Sequence, residues 1–247
     1  MHLFNCLVVL GLAATTAVAA APPGYHAPRR RYTPRGLPYH RPGLRLHLST
    51  NLGYYNGDLT GRAADNTARV GYGVGLTQTL SPHFTFTADV SRVQLQAQDE
   101  THDRGYAFEG SNGVLSALLR YNLFADKSLY AGLGHTSTPL LVFVQAGAAG
   151  LLYNPVATQY GRALAPEAGN KYPQAAAAFP VGGGVTWHPS PRLYLTLDAR
   201  YYLTTTDLLD DISQRGNPKL NDSFGTLALQ LEYAFGHKKP RPLTHYD

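Results

Sequence analysis

The sequence predicts an all-β fold: an eight-stranded antiparallel transmembrane β-barrel with a polar lumen, preceded by a signal peptide and a disordered basic arm. The first observation is strict alternation, clearest in residues 192–203, RLYLTLDARYYL, where every second residue is apolar. A period of two indicates a strand with one apolar face. The second observation is that the opposite face carries Asp198 and Arg200 in mid-strand, which suits a barrel with lipid outside and a polar interior. The third is an alternation of short and long connections between the strands.

Residues 1–19 are predicted to be a secretory signal peptide, because their apolar run ends in the small-x-small cleavage site Ala17-Val18-Ala19. Cleavage could fall as late as residue 21. Cys6 is the single cysteine and lies inside this segment, so the exported chain would contain no disulfide. No later segment has the ~18 consecutive apolar residues of a transmembrane helix. A membrane-spanning form of this chain must therefore be a closed barrel.

Residues 20–43 form a Pro/Arg-rich arm that holds most of the excess charge. The formal net charge is +5, and the first acid is Asp58. Such a composition without periodicity predicts a disordered periplasmic segment. It is either a solvated linker, the interpretation we favour, or a partner-binding arm that contacts lipid phosphates or another protein. Nucleic acid is not expected behind a signal peptide. The arginines of the candidate partner-binding arm are Arg29, Arg30, Arg31, Arg35 and Arg41.

The barrel is predicted to span residues 44–235, followed by a flexible basic tail, 236–247. Each strand is long enough for the ~9–11 residues that a tilted membrane strand needs. In the third strand the apolar positions change face between Val90 and Val93, which predicts a β-bulge. The eight predicted strands are 44–54, 69–80, 84–98, 113–124, 140–153, 175–188, 192–203 and 222–235.

The connections support the same architecture. Short turns are predicted at 81–83 and 189–191, and a third connection begins at 125 and could extend to residue 139. Four long connections alternate with them, at 55–68, 99–112, 154–174 and 204–221. Even strand number with short periplasmic turns and long outer loops is typical of outer-membrane barrels. A soluble lipocalin-like or sandwich domain is the alternative, but the lumen-side charges and outward leucines argue against it. Aromatic residues near strand ends predict interfacial girdles: Tyr54, Tyr55, Phe84, Tyr121, Phe124, Trp187 and Phe235.

Charged residues on the polar faces predict an ion-pair network inside the barrel. An eight-stranded barrel has an interior that side chains fill, so it is a poor pore. We expect the network to hold the barrel rigid, because polar lumen residues are the rule in such barrels. The predicted lumen residues are Arg45, His47, Asp89, Arg120, Asp198, Arg200 and Glu232.

Motifs for catalysis or metal binding are weak, and we predict no catalytic residues, no cofactor and no metal site. Ser81 beside His83, and His188 beside Ser190, could serve a lipid-modifying enzyme at the rim, but turn residues of this kind are usually solvated. The stretch Asp207, Asp210, Asp211, Asn217, Asn221 and Asp222 could offer oxygen ligands to Ca²⁺. It lacks EF-hand spacing, so a solvated or lipopolysaccharide-bridging loop is favoured.

Several motifs resemble a family of small outer-membrane β-barrels typified by the PorG-like component of the type IX secretion system. The segment 51–59, NLGYYNGDL, is similar to the family's opening motif, and 206–213, TDLLDDIS, is the most specific match. Further similar segments are 80–83, 151–155 and 179–191. The loop residues of these motifs are Gly57, Asp58, Leu59, Asp207, Asp210 and Asp211.

The resemblance implies an integral outer-membrane protein, exported through a cleaved signal peptide, that anchors a periplasmic secretion ring. The first functional hypothesis is therefore a non-enzymatic structural component of a secretion assembly, with outer-membrane lipid and periplasmic ring proteins as partners. The second is a stand-alone barrel whose outer loops bind ligand, lipid or surface partners. The third is a rim lipid-modifying enzyme. The oligomeric state is left open.

Overall fold

A computed structural model gives the fold of this chain. It describes residues 31–32, 36, 38–39, 42–56, 66–98, 105–130, 140–164, 172–190, 192–206, 209 and 222–235. The predicted signal peptide and basic tail lie outside these ranges. Within the described part of the chain, no helix is long and apolar enough to cross a membrane.

The described residues form twelve β-strands and one short 3-10 turn, at Lys127–Leu129. The strands are β1 (Arg31–Tyr32), β2 (Pro38–Tyr39), β3 (Arg45–Asn56), β4 (Val70–Thr79), β5 (Phe84–Gln98), β6 (Tyr106–Asn122), β7 (Leu140–Tyr153), β8 (Pro155–Gln159), β9 (Arg162–Ala163), β10 (Gln174–Trp187), β11 (Leu193–Thr204) and β12 (Ser223–Ala234).

The long strands pair antiparallel into a closed ring. Its order is β3–β4–β5–β6–β7–β10–β11–β12, and β12 pairs back onto β3 from Ser223 opposite Asn56 to Ala234 opposite Arg45. Closure leaves no open strand edge in the ring, which satisfies the backbone without help from solvent. The predicted all-β antiparallel barrel is confirmed.

Two short strands, β8 and β9, belong to the same ten-stranded sheet but extend it beyond the ring. β8 pairs with β6 in the register that β7 has already set, since Gly113 faces Leu152 and Glu109 faces Val156. The connection predicted at 154–174 is therefore partly a strand extension. β6 likewise begins at Tyr106, so the predicted long connection 99–112 shortens to residues 99–105.

The predicted β-bulge in β5 is wrong. Its pairing with β6 runs without interruption from Phe84 opposite Tyr121 to Gln98 opposite Ala107. The apolar residues change face because their surroundings change. Val90 and the residues before it in phase face outward, whereas Val93 and Leu95 face inward and are fully buried.

We call the end of the barrel where the chain enters at Arg45 and leaves at Ala234 the turn end, and the opposite end the loop end. The connections β4–β5, β6–β7 and β10–β11 lie at the turn end. The loop-end half of the lumen is filled by apolar side chains, with Tyr55 packed edge-on against Phe108 at a ring-centroid distance of 4.6 Å. This loop-end core contains Tyr55, Val93, Leu95, Ala97, Phe108, Val114, Ala149, Leu151, Tyr153, Ala157, Ala178, Tyr202, Leu209 and Phe224.

The outer surface carries a continuous apolar belt. A soluble domain rarely leaves so many large apolar side chains exposed together, whereas the lipid-facing surface of a membrane barrel requires them. The predicted girdle aromatics are exposed except Tyr55, whose ring lies in the loop-end core. The aliphatic members of the belt include Leu46, Leu48, Leu52, Val74, Leu115, Leu119, Val144, Val181, Leu197, Leu203, Leu227, Leu229 and Leu231.

Part of the predicted disordered arm is ordered as a small hairpin of β1 and β2. Tyr39 of this hairpin bridges Tyr130 and donates its hydroxyl to the carbonyl oxygen of Leu80 at 3.4 Å. Both contacts lie at the turn end. The arm residues next to the barrel are therefore seated against its turn end.

Candidate functional site

The lumen is the candidate functional site, and the structure places all the predicted lumen residues in it. The alternation of each strand turns these side chains inward, where every one is buried. They are Arg45, His47, Asp89, Arg120, Asp198, Arg200 and Glu232.

Six of these residues form one chain of ion pairs with alternating sign. Arg45 Nε lies 3.0 Å from Glu232 Oε2, and Arg120 Nη1 lies 3.5 Å from Glu232 Oε1. Arg120 continues to Asp198 at 3.2 Å. Arg200 then joins Asp198 to Asp89, with distances of 2.8 Å to each.

The pairs cross the lumen instead of following its wall. Arg200 on β11 and Asp89 on β5 stand on opposite sides of the ring, with β12, β3 and β4 between them on one side. Arg120 on β6 likewise reaches across to β11 and β12. These bonds therefore act as cross-braces that hold distant strands at a set separation.

Asp198 is the centre of the network. Its Oδ2 accepts from Arg120 Nη2, from Arg200 Nε at 2.9 Å and from Gln230 Nε2 at 2.8 Å. Its Oδ1 accepts from Gln145 Nε2 at 2.5 Å. A buried carboxylate needs such partners, because desolvation of an unpaired charge costs several kcal/mol.

The charges of the chain of ion pairs balance, since three arginines face three acids. Two of the arginines also lie over aromatic rings. The Arg45 guanidinium is 4.3 Å from the Tyr194 ring centroid, and that of Arg120 is 4.7 Å from the Phe143 centroid. Ring faces attract cations in this geometry. Tyr194 and Phe143 therefore stabilise two of the guanidinium groups that also pair with the acids.

Sequence reasoning missed the neutral members of the network. Gln145 accepts from Arg120 Nε at 3.1 Å, and Gln230 accepts from Arg120 Nη2 at 3.0 Å. Thr196 donates to Glu232 Oε1 at 3.0 Å. These three residues could have been found from the sequence, because each occupies an inward position of a predicted strand. His47, which was predicted, shares a hydrogen bond with Thr77 Oγ1 at 3.2 Å.

Little free space is left between these side chains. A cavity of about 20 Å³ near Arg45 and Thr186, and another of about 10 Å³ near Ser49 and Thr226, lie inside the barrel. Each has room for about one or two water molecules. The charged network and the loop-end core together close the lumen over its described length.

At the turn end, His188 lies beside the charged lumen, with its ring edge-on to Tyr194 at 4.3 Å. Burial lowers the pKa of His188 below its ordinary value, Arg45 acts in the same direction, and Asp126 opposes them. Asp126 accepts from Ser128 N at 3.0 Å and starts the 3-10 turn. The side chain of Asp126 thus caps the 3-10 turn at this end of the barrel.

The serines of the predicted Ser/His pairs stabilise the turns in which they lie. Ser81 Oγ accepts from the amides of His83 and Phe84 at 3.3 and 3.0 Å, and Ser190 Oγ accepts from the Leu193 amide at 3.2 Å. The His83 ring donates from Nδ1 to the carbonyl oxygen of Asn122 at 2.9 Å. Each hydroxyl thus fixes the backbone at the start of a strand.

Other predicted residues fall mostly outside the described ranges. These are Arg29, Arg30, Arg35, Arg41, Gly57, Asp58, Leu59, Asp207, Asp210, Asp211, Asn217 and Asn221. Arg31 is described as part of β1. Asp222 accepts from the Tyr55 hydroxyl at 2.6 Å and from Leu209 N at 3.0 Å, which ties the last connection to the loop-end core. No group of metal-ligating side chains occurs in the described part of the chain.

A closed antiparallel barrel with an apolar outer belt and a charge-paired lumen defines the class of this protein as a transmembrane β-barrel. No family model matches the chain, and no curated protein sequence matches it. Three solved structures show what it is similar to.

The first is the Neisserial surface protein A, at 15% identity and a TM-score of 0.45, covering 79% of this chain and 99% of that one. The second is Ail, the attachment invasion locus protein of Yersinia pestis, at 12% identity and a TM-score of 0.44, covering 78% and 99%. The third is a major outer membrane protein from Thermus thermophilus, at 14% identity and a TM-score of 0.41, covering 78% and 99%.

Proposed function

We propose that this protein is a non-enzymatic integral outer-membrane barrel that acts as a structural anchor and conducts no solutes. The observation that carries the proposal is the cross-braced lumen, in which Arg200 spans to Asp89 on the opposite wall at 2.8 Å. The two cavities between these side chains have room for only a few water molecules. The hydroxyls of Ser81 and Ser190, engaged by backbone amides, support the non-enzymatic part.

An anchor needs a strong hold on the bilayer and a stiff body, and both follow from this geometry. The apolar belt stabilises insertion by burying its leucines and valines in hydrocarbon. The braces couple strands that are not neighbours, so that a force on one connection is carried by the whole ring. The orientation we propose puts the turn end in the periplasm, because its connections 80–83 and 188–192 are short, as periplasmic turns of such barrels are.

Reconstitution into planar bilayers tests the closed lumen. The wild-type barrel is expected to give no discrete conductance steps. A matched variant with Arg200→Ala and Asp89→Ala removes one brace while keeping the charge balance, and it is expected to admit ions. Stepwise conductance by the wild-type barrel would refute the anchor proposal.

We further propose that the anchored partner is a periplasmic secretion assembly of the type IX kind, and that the arm contacts it. The motifs at 51–59 and 206–213 support this assignment. So does Tyr39, which seats the arm at the turn end. A barrel that holds a basic arm beside its periplasmic face can present that arm to a ring of proteins.

Affinity purification from gently solubilised outer membrane tests the secretion role. Periplasmic ring components are expected to accompany the tagged wild-type protein. They are expected to be lost when Arg29, Arg30, Arg31, Arg35 and Arg41 are changed to Gln, and to be kept in the control with Lys238→Gln and Lys239→Gln. A wild-type barrel that purifies alone would rule the secretion role out.

A stand-alone barrel that binds surface partners at its loop end is the second candidate. It is favoured by β8 and β9, which extend the sheet beyond the ring beside β6. Replacing residues 155–163 by a Gly/Ser linker is expected to leave the barrel inserted in the membrane. Whole-cell adhesion assays would then separate the candidates, since loss of adhesion supports a loop-end surface and unchanged adhesion argues against it.

A further inference from the structure

The outer surface of the barrel is almost free of charge. Among the described residues that face outward from the eight ring strands, the charged ones are Arg92 of β5 and Glu109 of β6. Glu109 has a partner, because its Oε1 lies 3.7 Å from Arg69 Nη2. Within the described ranges, Arg92 is thus the outward charge that has no opposite charge beside it.

Arg92 stands where the apolar belt ends at the loop end. The outward residue before it on β5 is Val90, and the next two are Gln94 and Gln96. Across the sheet it faces the exposed Tyr72 of β4, an aromatic of the kind that lies at membrane interfaces. These neighbours are the ones expected of a side chain at the height of lipid headgroups.

The guanidinium of Arg92 is held in place by one hydrogen bond, which uses one of its donor groups. Its Nε donates to Ser111 Oγ at 2.7 Å on the neighbouring strand. The two Nη groups have no partner among the described residues. On the other side Arg92 pairs with Gly113, which has no side chain of its own.

A half-buried arginine at the edge of a lipid belt, with no partner for its Nη groups among the described residues, fits one kind of ligand. Guanidinium groups form paired, charge-assisted hydrogen bonds with phosphate. Phosphate groups are also the anions that a bilayer presents at this depth. The hydrogen bond to Ser111 holds the guanidinium in one orientation before a ligand binds, which lowers the entropy cost of binding.

We propose that Arg92, oriented by Ser111 and flanked by Tyr72 and Gly113, binds a phosphate group of lipid A in the outer leaflet. The choice of lipid A over phospholipid rests on the proposed outer-membrane orientation, which puts the loop end in the leaflet that carries lipopolysaccharide. The site would fix the rotation and height of the barrel relative to its surrounding lipid.

Native mass spectrometry of the purified full-length barrel with added bisphosphorylated lipid A tests the site. Removing the guanidinium in Arg92→Gln is expected to weaken retention about tenfold, since hydrogen bonds to charged groups are worth that much or more. Arg92→Lys keeps the charge and is expected to retain most of the binding. Arg162→Gln, which removes an exposed charge on β9 outside the ring, is the matched control and is expected to bind as wild type does.

Equal lipid A retention by wild type and Arg92→Gln would overturn the proposal. So would equal binding of phosphate-free lipid A. Competition by phosphatidylglycerol at equal concentration would overturn the choice of lipid A as the source of the phosphate. Cell fractionation keeps the two proposals apart: a wild-type protein missing from the outer membrane refutes the anchor function, whereas outer-membrane Arg92→Gln with unchanged lipid A binding refutes only the site.

Discussion

At the residue scale, Asp198 is the side chain that accepts the most hydrogen bonds from the charged network of the lumen. Its two oxygens accept from both arginines that cross the barrel and from two glutamine amides. The gain from pairing buried charges is offset by the cost of desolvating them, so the network need not be more stable than an apolar filling. We expect its consequence to be specificity, because the crossing pairs form only when β5, β6, β11 and β12 stand in this arrangement.

Asp198→Ala is therefore expected to lower the free energy of unfolding by about 3–5 kcal/mol, since it leaves Arg120 and Arg200 buried with an acceptor missing. Asp198→Asn keeps an acceptor oxygen and should lose less. Urea titration of the barrel in lipid vesicles, followed by the fluorescence of the single tryptophan, Trp187, measures both. A loss below about 1 kcal/mol for Asp198→Ala would show that the network adds little to stability.

At the scale of single strands, β7 shows how close the backbones come inside a filled barrel. A Cβ on Gly147, which faces inward, would collide with the carbonyl oxygen of Ala117 on β6. At Gly150, on the outer face of the same strand, a Cβ would meet nothing within 4 Å. The two positions form a matched pair.

Gly147→Ala is expected to cost about 1–3 kcal/mol of stability, because the backbone of β6 must shift to make room. Gly150→Ala is expected to leave stability unchanged or slightly raised, because alanine has less conformational freedom to lose on folding. The readout is the same urea titration, together with the folded fraction on unheated gels. Equal effects of the two substitutions would contradict the inward placement of Gly147.

The continuity of β5 can be tested in the same way. Leu95 is fully buried in the loop-end core, whereas its neighbour Gln94 faces outward. Leu95→Ala is expected to destabilise the barrel by about 2–5 kcal/mol through loss of packing and the cavity left behind. Gln94→Ala should change stability by about 0.5 kcal/mol or less. A bulge that turned Leu95 outward would make the Leu95 effect small as well.

At the scale of the whole molecule, the outer belt decides where the protein can exist. The apolar side chains of the belt would be in contact with water if the protein were soluble. The interior, by contrast, holds three arginines and three acids of balanced charge. An apolar outer belt around a charged interior is the arrangement expected of a barrel in a lipid bilayer.

The depth of the belt gives a direct test. Leu229 lies in the middle of β12, and Leu203 lies near the loop end of β11, and both are about equally exposed. Leu229→Arg is expected to cost about 2–4 kcal/mol in a bilayer, and Leu203→Arg about 0–1 kcal/mol, because the cost of a cation falls toward the interface. Equal costs, measured by unfolding in vesicles, would contradict this placement of the belt.

Much of the fold could be predicted because alternation is a local property. The period of two in residues 192–203 marks a strand and both its faces without any knowledge of its neighbours. The inward charges followed from the same pattern, since an Asp and an Arg cannot face lipid in mid-strand. In agreement with this prediction, Arg45, Asp89 and Glu232 lie buried in the lumen.

Only the tertiary structure decided which residues meet and which face is inside at each depth. The partners Arg120 and Glu232 are 112 residues apart in the chain, and Arg200 and Asp89 are 111 apart, so no local pattern relates them. Val93, Leu95 and Tyr55 share one core because the closed ring brings the inward faces of β5 and β3 together in the loop-end half of the lumen. A sequence records that a strand has two faces, but the closed ring determines what each face meets along its length.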